Sequence, residues 1–243
     1  MRFNFYGLIL SLSLFMAYWL AAYRAGKRGL AKDLVWETLP WVLGFGILGA
    51  RLYHVLNYFS YYLQNWWLIP QVWLGGLGIW GGIVGGVVGL LLFFKFSNLE
   101  SRISSYLDLA APAVALAQAV GRLGNIWNGE NLPYAYWEMG FNLAVLAFLI
   151  WFERLDFMSN SGNGESQKSK IKVQKDNSKI KIDGYLFFTY LFLYALGRFV
   201  LEFFRTDSPW IWGPLTAAQW ISLVIVSIAI LILRSNFNRT ARS

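Results

Sequence analysis

The sequence predicts an all-α polytopic membrane protein with about seven transmembrane helices, its N-terminus outside and its C-terminus in the cytoplasm. Three observations carry that expectation. Of 243 residues, 57% are hydrophobic and only 14% charged, with mean hydropathy +0.44, whereas soluble domains carry about 25% charged residues. Apolar runs close to the roughly 20 residues of a spanning helix recur along the whole length. The basic residues gather in alternate gaps between those runs. So much apolar surface would not stay solvated, which excludes disorder for most of the chain.

The spans are read at 4–23, 34–57, 75–96, 106–123, 137–153, 184–204 and 215–233. The first run has the length of a signal peptide. Its basic start is weak, however, Trp19 and Tyr23 lie near its end, and Ala25-Gly26-Lys27-Arg28 follows directly. It is read as a retained span that stops at a basic loop. With the N-terminus outside, the inner gaps hold 16 of the 21 basic residues, which the positive-inside rule requires. The net charge of +8 then belongs to membrane anchoring, and no nucleic acid is needed as a partner. The stretch 159–183 is polar and rich in Ser, Asn, Gly and Lys. It is expected to be a flexible cytoplasmic loop within one membrane-embedded domain covering 1–243.

The chain has no Cys and one His, His54. This removes disulfides, thiolate metal sites and a thiol nucleophile of its own. No metal site and no cofactor are expected, and a Ser-His-Asp triad would have to be built on His54.

The five basic residues left over are Arg2, Arg51, Arg122, Arg198 and Arg205. An ionised side chain within a span is costly and by default marks a functional site. An isolated one also fits a side chain snorkelling from a helix end, but these cluster. Gly121-Arg122-Leu123-Gly124-Asn125-Ile126-Trp127-Asn128-Gly129-Glu130 closes the fourth span at its outer end. Its glycines let the backbone bend or approach a ligand, while Arg122, Asn125, Asn128 and Glu130 supply donors and an acid. A polar turn with a helix cap is the plainer alternative. In the sixth span, Arg198, Glu202 and Arg205 lie about 40°, 80° and 20° from Tyr194 at 100° per residue. That polar stripe should face the bundle interior or an aqueous cavity. An Arg198–Glu202 pair that only locks packing is the competing reading. Glycines at 75, 76, 78, 81, 82, 85 and 86 have the spacing of close helix packing; near a lipid site, Gly81 and Gly82 would also let a phospholipid approach the backbone.

Arginine suits phosphate through its bidentate fork. Arg122 and Arg198 at the outer boundary, with Asn donors, form a candidate pocket for an anionic headgroup. They would stabilise charge on a departing phosphate oxygen. Two arginines sharing one headgroup should lie within roughly 15 Å of each other.

Taken together, these motifs resemble the bacterial phosphatidylglycerol–prolipoprotein diacylglyceryl transferase family. The matching pieces run in order: Phe5-Tyr6-Gly7-Leu8, Gly49-Ala50-Arg51-Leu52, the Gly75–Gly86 stretch, Tyr106-Leu107-Asp108 with Pro112, and the signature 121–130. Pro133 and Glu138, then Tyr194, Arg198, Glu202 and Arg205, then Leu215-Thr216 with Gln219 complete the set. The resemblance implies transfer of the diacylglyceryl group of phosphatidylglycerol to the lipobox cysteine of a prolipoprotein, with release of glycerol phosphate. It implies a multi-pass protein of the bacterial cytoplasmic membrane with its site toward the outer leaflet. Arg122, Arg198, Tyr194 and Glu202 are then the expected catalytic residues. Tyr6, Asn125, Asn128, Glu130, Arg205, Gly81 and Gly82 are the expected substrate contacts. The chain departs from the family at Trp80 and Leu132, where His is common, so thiol activation here should not depend on those positions. A non-catalytic relative that binds anionic lipid is the alternative. A transporter would show inverted repeats or broken helices, and neither is apparent.

The charge count makes a direct prediction. A cysteine introduced at 159–183 reacts with an impermeant thiol reagent only from the cytoplasmic side, and one at 130–134 only from outside. The reverse labelling pattern overturns the orientation.

Overall fold

The computed structural model describes residues 5–161, 184–205, 210–212 and 215–240. Among these are seven helices of 18 residues or more: α1 (Phe5–Lys27), α2 (Lys32–Asn57), α4 (Ile79–Phe96), α5 (Ile103–Asn128), α6 (Tyr134–Ser161), α7 (Tyr185–Glu202) and α8 (Ala217–Thr240). The short α3 (Phe59–Gln64) and single 3-10 turns complete the helical set. Strands β1 (Trp210–Trp212) and β2 (Leu215–Thr216) pair antiparallel just before α8. Hydrocarbon offers the backbone no partner, so each span must satisfy its own N–H and C=O groups as a helix. Six of the seven long helices are long and apolar enough to cross a membrane; the apolar stretch Trp80–Phe96 of α4 falls short of that length. The expected 75–96 span loses its first turn because Gly75 and Gly76 adopt φ of +89° and +71°. Residues 159–161 of the expected loop at 159–183 are helical, since α6 runs to Ser161; 162–183 lie outside the described residues.

Three helices end in the same way. In α1, Leu30 N–H bonds Ala25 O and Gly29 N–H bonds Gly26 O; α4 repeats this with Leu99 to Phe94 and Asn98 to Lys95; α5 with Glu130 to Asn125 and Gly129 to Ile126. These are Schellman closures, with Gly29, Asn98 and Gly129 at positive φ.

The chain divides into two compact units, one of residues 22–106 and one of residues 1–21 with 107–243. In the unit of residues 22–106, α2 and α4 cross backbone to backbone. A Cβ at Gly49 would run into the Gly81 carbonyl and the Gly85 Cα, and one at Gly81 into the Gly49 carbonyl. Gly81 therefore does what the small-residue spacing predicts on its own and lets two helices approach, whereas a Cβ at Gly82 would meet Ala50 at an ordinary 3.6 Å. Arg51 is buried in the same unit and spends its donors on the chain that follows. Its Nε donates to Ile69 O at 2.8 Å, its Nη1 to Gly75 O at 2.7 Å and Gly76 O at 3.1 Å, and its Nη2 to Leu68 O. The guanidinium also lies 5.2 Å from the Tyr62 ring centre. This leftover cation staples the uncharged 59–78 segment to α2 by satisfying carbonyls that its irregular turns leave open. His54 Nδ1 is 3.2 Å from the Tyr62 hydroxyl, and its ring packs on Tyr58.

In the other unit, Ala111 and Ala115 of α5, Val145 and Leu149 of α6, and Leu186 and Tyr190 of α7 form one apolar core. Asp108 of α5 caps α7, accepting from Gly184 N–H and Phe187 N–H at 2.9 Å each. A carboxylate at a helix N-terminus also suits the helix dipole, and the cap fixes how far α7 slides along α5. Helix α8 opens with a reciprocal capping box: Thr216 N–H donates to Gln219 Oε1 at 2.9 Å and Gln219 N–H to Thr216 Oγ1 at 3.4 Å.

The α2–α4 crossing is testable by position. Gly49→Val forces side-chain atoms into backbone and should destabilise by about 1–3 kcal/mol, the usual cost of overpacking. A Cβ at Gly46 meets its nearest atom at 3.5 Å, so Gly46→Ala should leave the thermal unfolding midpoint in detergent close to wild type. Equal midpoints for the two variants would refute the crossing.

Candidate functional site

The site is assembled from the end of α5, the start of α6 and the last turns of α7. Of the two uses expected of the signature glycines, bending or close approach, the structure shows no bend at Gly121 or Gly124: the signature stays helical to Asn128. Gly124 is small for another reason: a Cβ there would enter the Tyr6 ring. Tyr6 thus packs on the signature from α1, beside a Phe5–Trp127 ring contact with centroids 5.1 Å apart. Gly129, at φ +69°, is the glycine whose conformation matters. Its turn folds Glu130 back over the helix end, where Oε2 accepts from Asn125 Nδ2 at 3.0 Å and Oε1 from Asn128 Nδ2 at 3.2 Å.

Arg122 and Arg198 are 76 residues apart in sequence and meet on one atom. Arg122 Nη2 lies 2.5 Å from Glu138 Oε1, and Arg198 Nη1 lies 3.3 Å from the same oxygen. Arg198 Nη2 pairs with Glu202 Oε2 at 3.2 Å, while its Nη1 also donates to the Tyr134 hydroxyl. Arg122 Nη1 donates to Asn125 Oδ1 at 3.3 Å. The Arg205 guanidinium stands 5.8 Å from the centre of the Tyr134 ring, as does that of Arg198. Tyr194 stacks on Tyr190, with centroids 5.9 Å apart, and the Tyr190 hydroxyl donates to Gln118.

Exposure orders this network. The Glu138 and Glu202 side chains are 3% and 2% exposed, whereas those of Arg122 and Arg198 are 29% and 18% exposed. The acids lie behind and the guanidinium groups in front. Buried carboxylates hold two cations in fixed orientation without covering them, the preorganisation that an anion or a developing oxyanion needs.

The structure brings Arg122, Asn125, Asn128, Glu130, Tyr194, Arg198, Glu202, Arg205 and Tyr6 into the same unit. Gly81 and Gly82 belong to the other unit, where they face α2. The expected helix through 204 ends at Glu202, because the backbone turns at Phe203 and Phe204, so Arg205 lies beyond the helix. It still reaches the Tyr134 ring. Glu138 and Tyr134 are the residues that reading the charges missed. An acid one turn inside an apolar span is a signal of the same kind as the intramembrane arginines.

Residues 1–234 match the model of the family described as prolipoprotein diacylglyceryl transferase. The chain belongs to that family. It is similar to the phosphatidylglycerol–prolipoprotein diacylglyceryl transferase of Geobacillus kaustophilus, at 32% identity over 94% of this chain and 87% of that one. The protein of the same name from Bacillus anthracis is 33% identical over 94% and 87%. That from Staphylococcus carnosus is 31% identical over 95% and 86%. As a member of the prolipoprotein diacylglyceryl transferase family, the chain is a polytopic all-α membrane protein.

Proposed function

We propose that this protein transfers the diacylglyceryl group of phosphatidylglycerol to the lipobox cysteine thiol of a prolipoprotein. One observation carries the reading: two partly open arginines from different helices converge on one buried carboxylate. Membership of the family, and relatives named for this activity across most of the chain, support it. Arg122 and Arg198 grip the phosphate of the donor lipid. Glu138 and Glu202 hold their orientation, Tyr6 and Asn125 brace the signature, and Arg205 with Tyr194 borders the pocket. The substrate thiolate forms a bond to the terminal glyceryl carbon. The carbon–oxygen bond to phosphate breaks, and glycerol phosphate leaves with the electron pair. Both arginines stabilise the charge that collects on the departing phosphate.

The enzyme supplies no thiol, since it has no Cys; the nucleophile arrives with the peptide. A free thiol titrates near pH 8.5, and adjacent cations favour its thiolate. Neither Trp80 nor Leu132 offers a base, and His54 is engaged with Tyr62 and Tyr58. Thiol activation is therefore electrostatic. The gathering of basic residues in alternate loops supports a site toward the outer leaflet of the bacterial cytoplasmic membrane, where an exported prolipoprotein would present its lipobox.

The transfer rate from phosphatidylglycerol to a lipobox peptide, read by peptide mass at matched expression, tests the assignment. Arg122→Lys keeps the charge but loses the planar fork and should lose most activity. His54→Ala and Trp80→His should keep most of theirs. A fall of more than about a hundredfold in His54→Ala, within the range for loss of a general base, with Arg122→Lys near wild type, would assign His54 as the base instead.

A further inference from the structure

Helix α6 carries a buried stripe at Ala135, Glu138, Asn142, Val145 and Leu149, the three-and-four spacing of a single helix face. Val145 and Leu149 belong to the apolar core. Asn142 lies between that core and the arginine pair and is 1% exposed. Neither its Oδ1 nor its Nδ2 has a hydrogen-bond partner among the described residues, and Glu138 Oε2, one turn away on the same face, has none either. An amide buried without partners costs folding free energy that an aliphatic side chain in the same place would not. Packing alone therefore gives no reason for an amide at this position.

We propose that Asn142 donates a hydrogen bond to an ester carbonyl of the donor phospholipid and so sets a preference for ester-linked chains. The inference rests on the reading of Arg122 and Arg198 as the phosphate site. Asn142 is four residues from Glu138, about 6 Å further along the axis at 1.5 Å per residue. That step leads away from the loop at 129–133 and into the span Tyr134–Leu155. A lipid whose phosphate sits on the arginines runs the same way, its glycerol and ester groups following the phosphate toward the acyl chains. The match is also chemical. An ester carbonyl only accepts, and the Asn142 amide has two N–H groups to give. A peptide carbonyl is an equally good acceptor. The lipid ester is favoured because the glycerol backbone ties it to the phosphate at the neighbouring level of the same face.

The test uses the full-length protein, a lipobox peptide, and phosphatidylglycerol in its diester form and as the diether of equal chain length. Wild type should prefer the diester in kcat/KM by about threefold to tenfold, the size of one hydrogen bond. In Asn142→Leu the ratio should fall to near one, with no lower thermal unfolding midpoint. Asn142→Ala should show the same ratio if the bulkier leucine prevents folding. An unchanged diester-to-diether ratio, or an equal loss on both donors with a higher KM for the peptide, overturns the inference in favour of ordered water or a peptide contact. Wild type that transfers from neither donor overturns the proposed function, and this inference with it. An active wild type whose preference survives both substitutions overturns only the inference.

Discussion

One carboxylate organises the functional end of this protein. Glu138 sits one turn inside an apolar helix, almost fully buried, with guanidinium groups from α5 and α7 on a single oxygen. Charges inside a membrane are expensive, and they persist when paired or when they line a functional site. Here they do both. Removing one partner from a buried ion pair leaves an uncompensated charge, at a cost of about 3–5 kcal/mol, so the three helices cannot shift independently. Glu202 adds the second anchor on Arg198. The acids fix the donors, and the donors remain open enough to take an anion. The network clamps three helices, and under the proposed function it is also the preorganised surface for the donor phosphate. The Arg198–Glu202 pair locks packing; its functional reading belongs to the proposed function.

The structure behind the site shows how its parts reach that position. Asp108 caps α7 from α5, setting the height of Arg198 against Arg122. The Schellman turn at Gly129 places Glu130 over Asn125 and Asn128. In the other unit, Arg51 shows a different use for a cation in an apolar chain. Its partners are four backbone carbonyls, and its task is to hold an irregular segment in place. An arginine among hydrophobic residues therefore carries no single meaning. What it faces decides between a staple and a binding group.

Much of this was legible in the sequence because it obeys local periodicity. The apolar runs gave the long helices, and 100° per residue put Tyr194, Arg198 and Glu202 on one face. The pattern Thr216-x-x-Gln219 is a capping box whose two bonds are both present. What stayed hidden depends on long-range partners or on backbone conformation. Nothing near Asp108 announces that it caps a helix 76 residues away. Gly121 and Gly124 are open to a bend or to a close approach because glycine is permissive, and nothing local tells that Gly124 is small to admit the Tyr6 ring. The missing first turn of α4 follows from positive φ at Gly75 and Gly76, a conformation that the apolar pattern does not encode. Glu138 could have been found from the same cost of burying charge that singled out the arginines.

In the proposed function, Arg122 and Arg198 act on one anion. A double-mutant cycle on the transfer reaction measures this most directly, using Arg122→Lys, Arg198→Lys and the double variant with phosphatidylglycerol as donor. If both guanidinium groups grip the same phosphate, losing either misaligns the other. The two losses in kcat/KM, expressed as free energies, should then depart from additivity by more than about 0.5 kcal/mol. Losses that add within that margin would mean the two arginines act independently and would contradict the shared site.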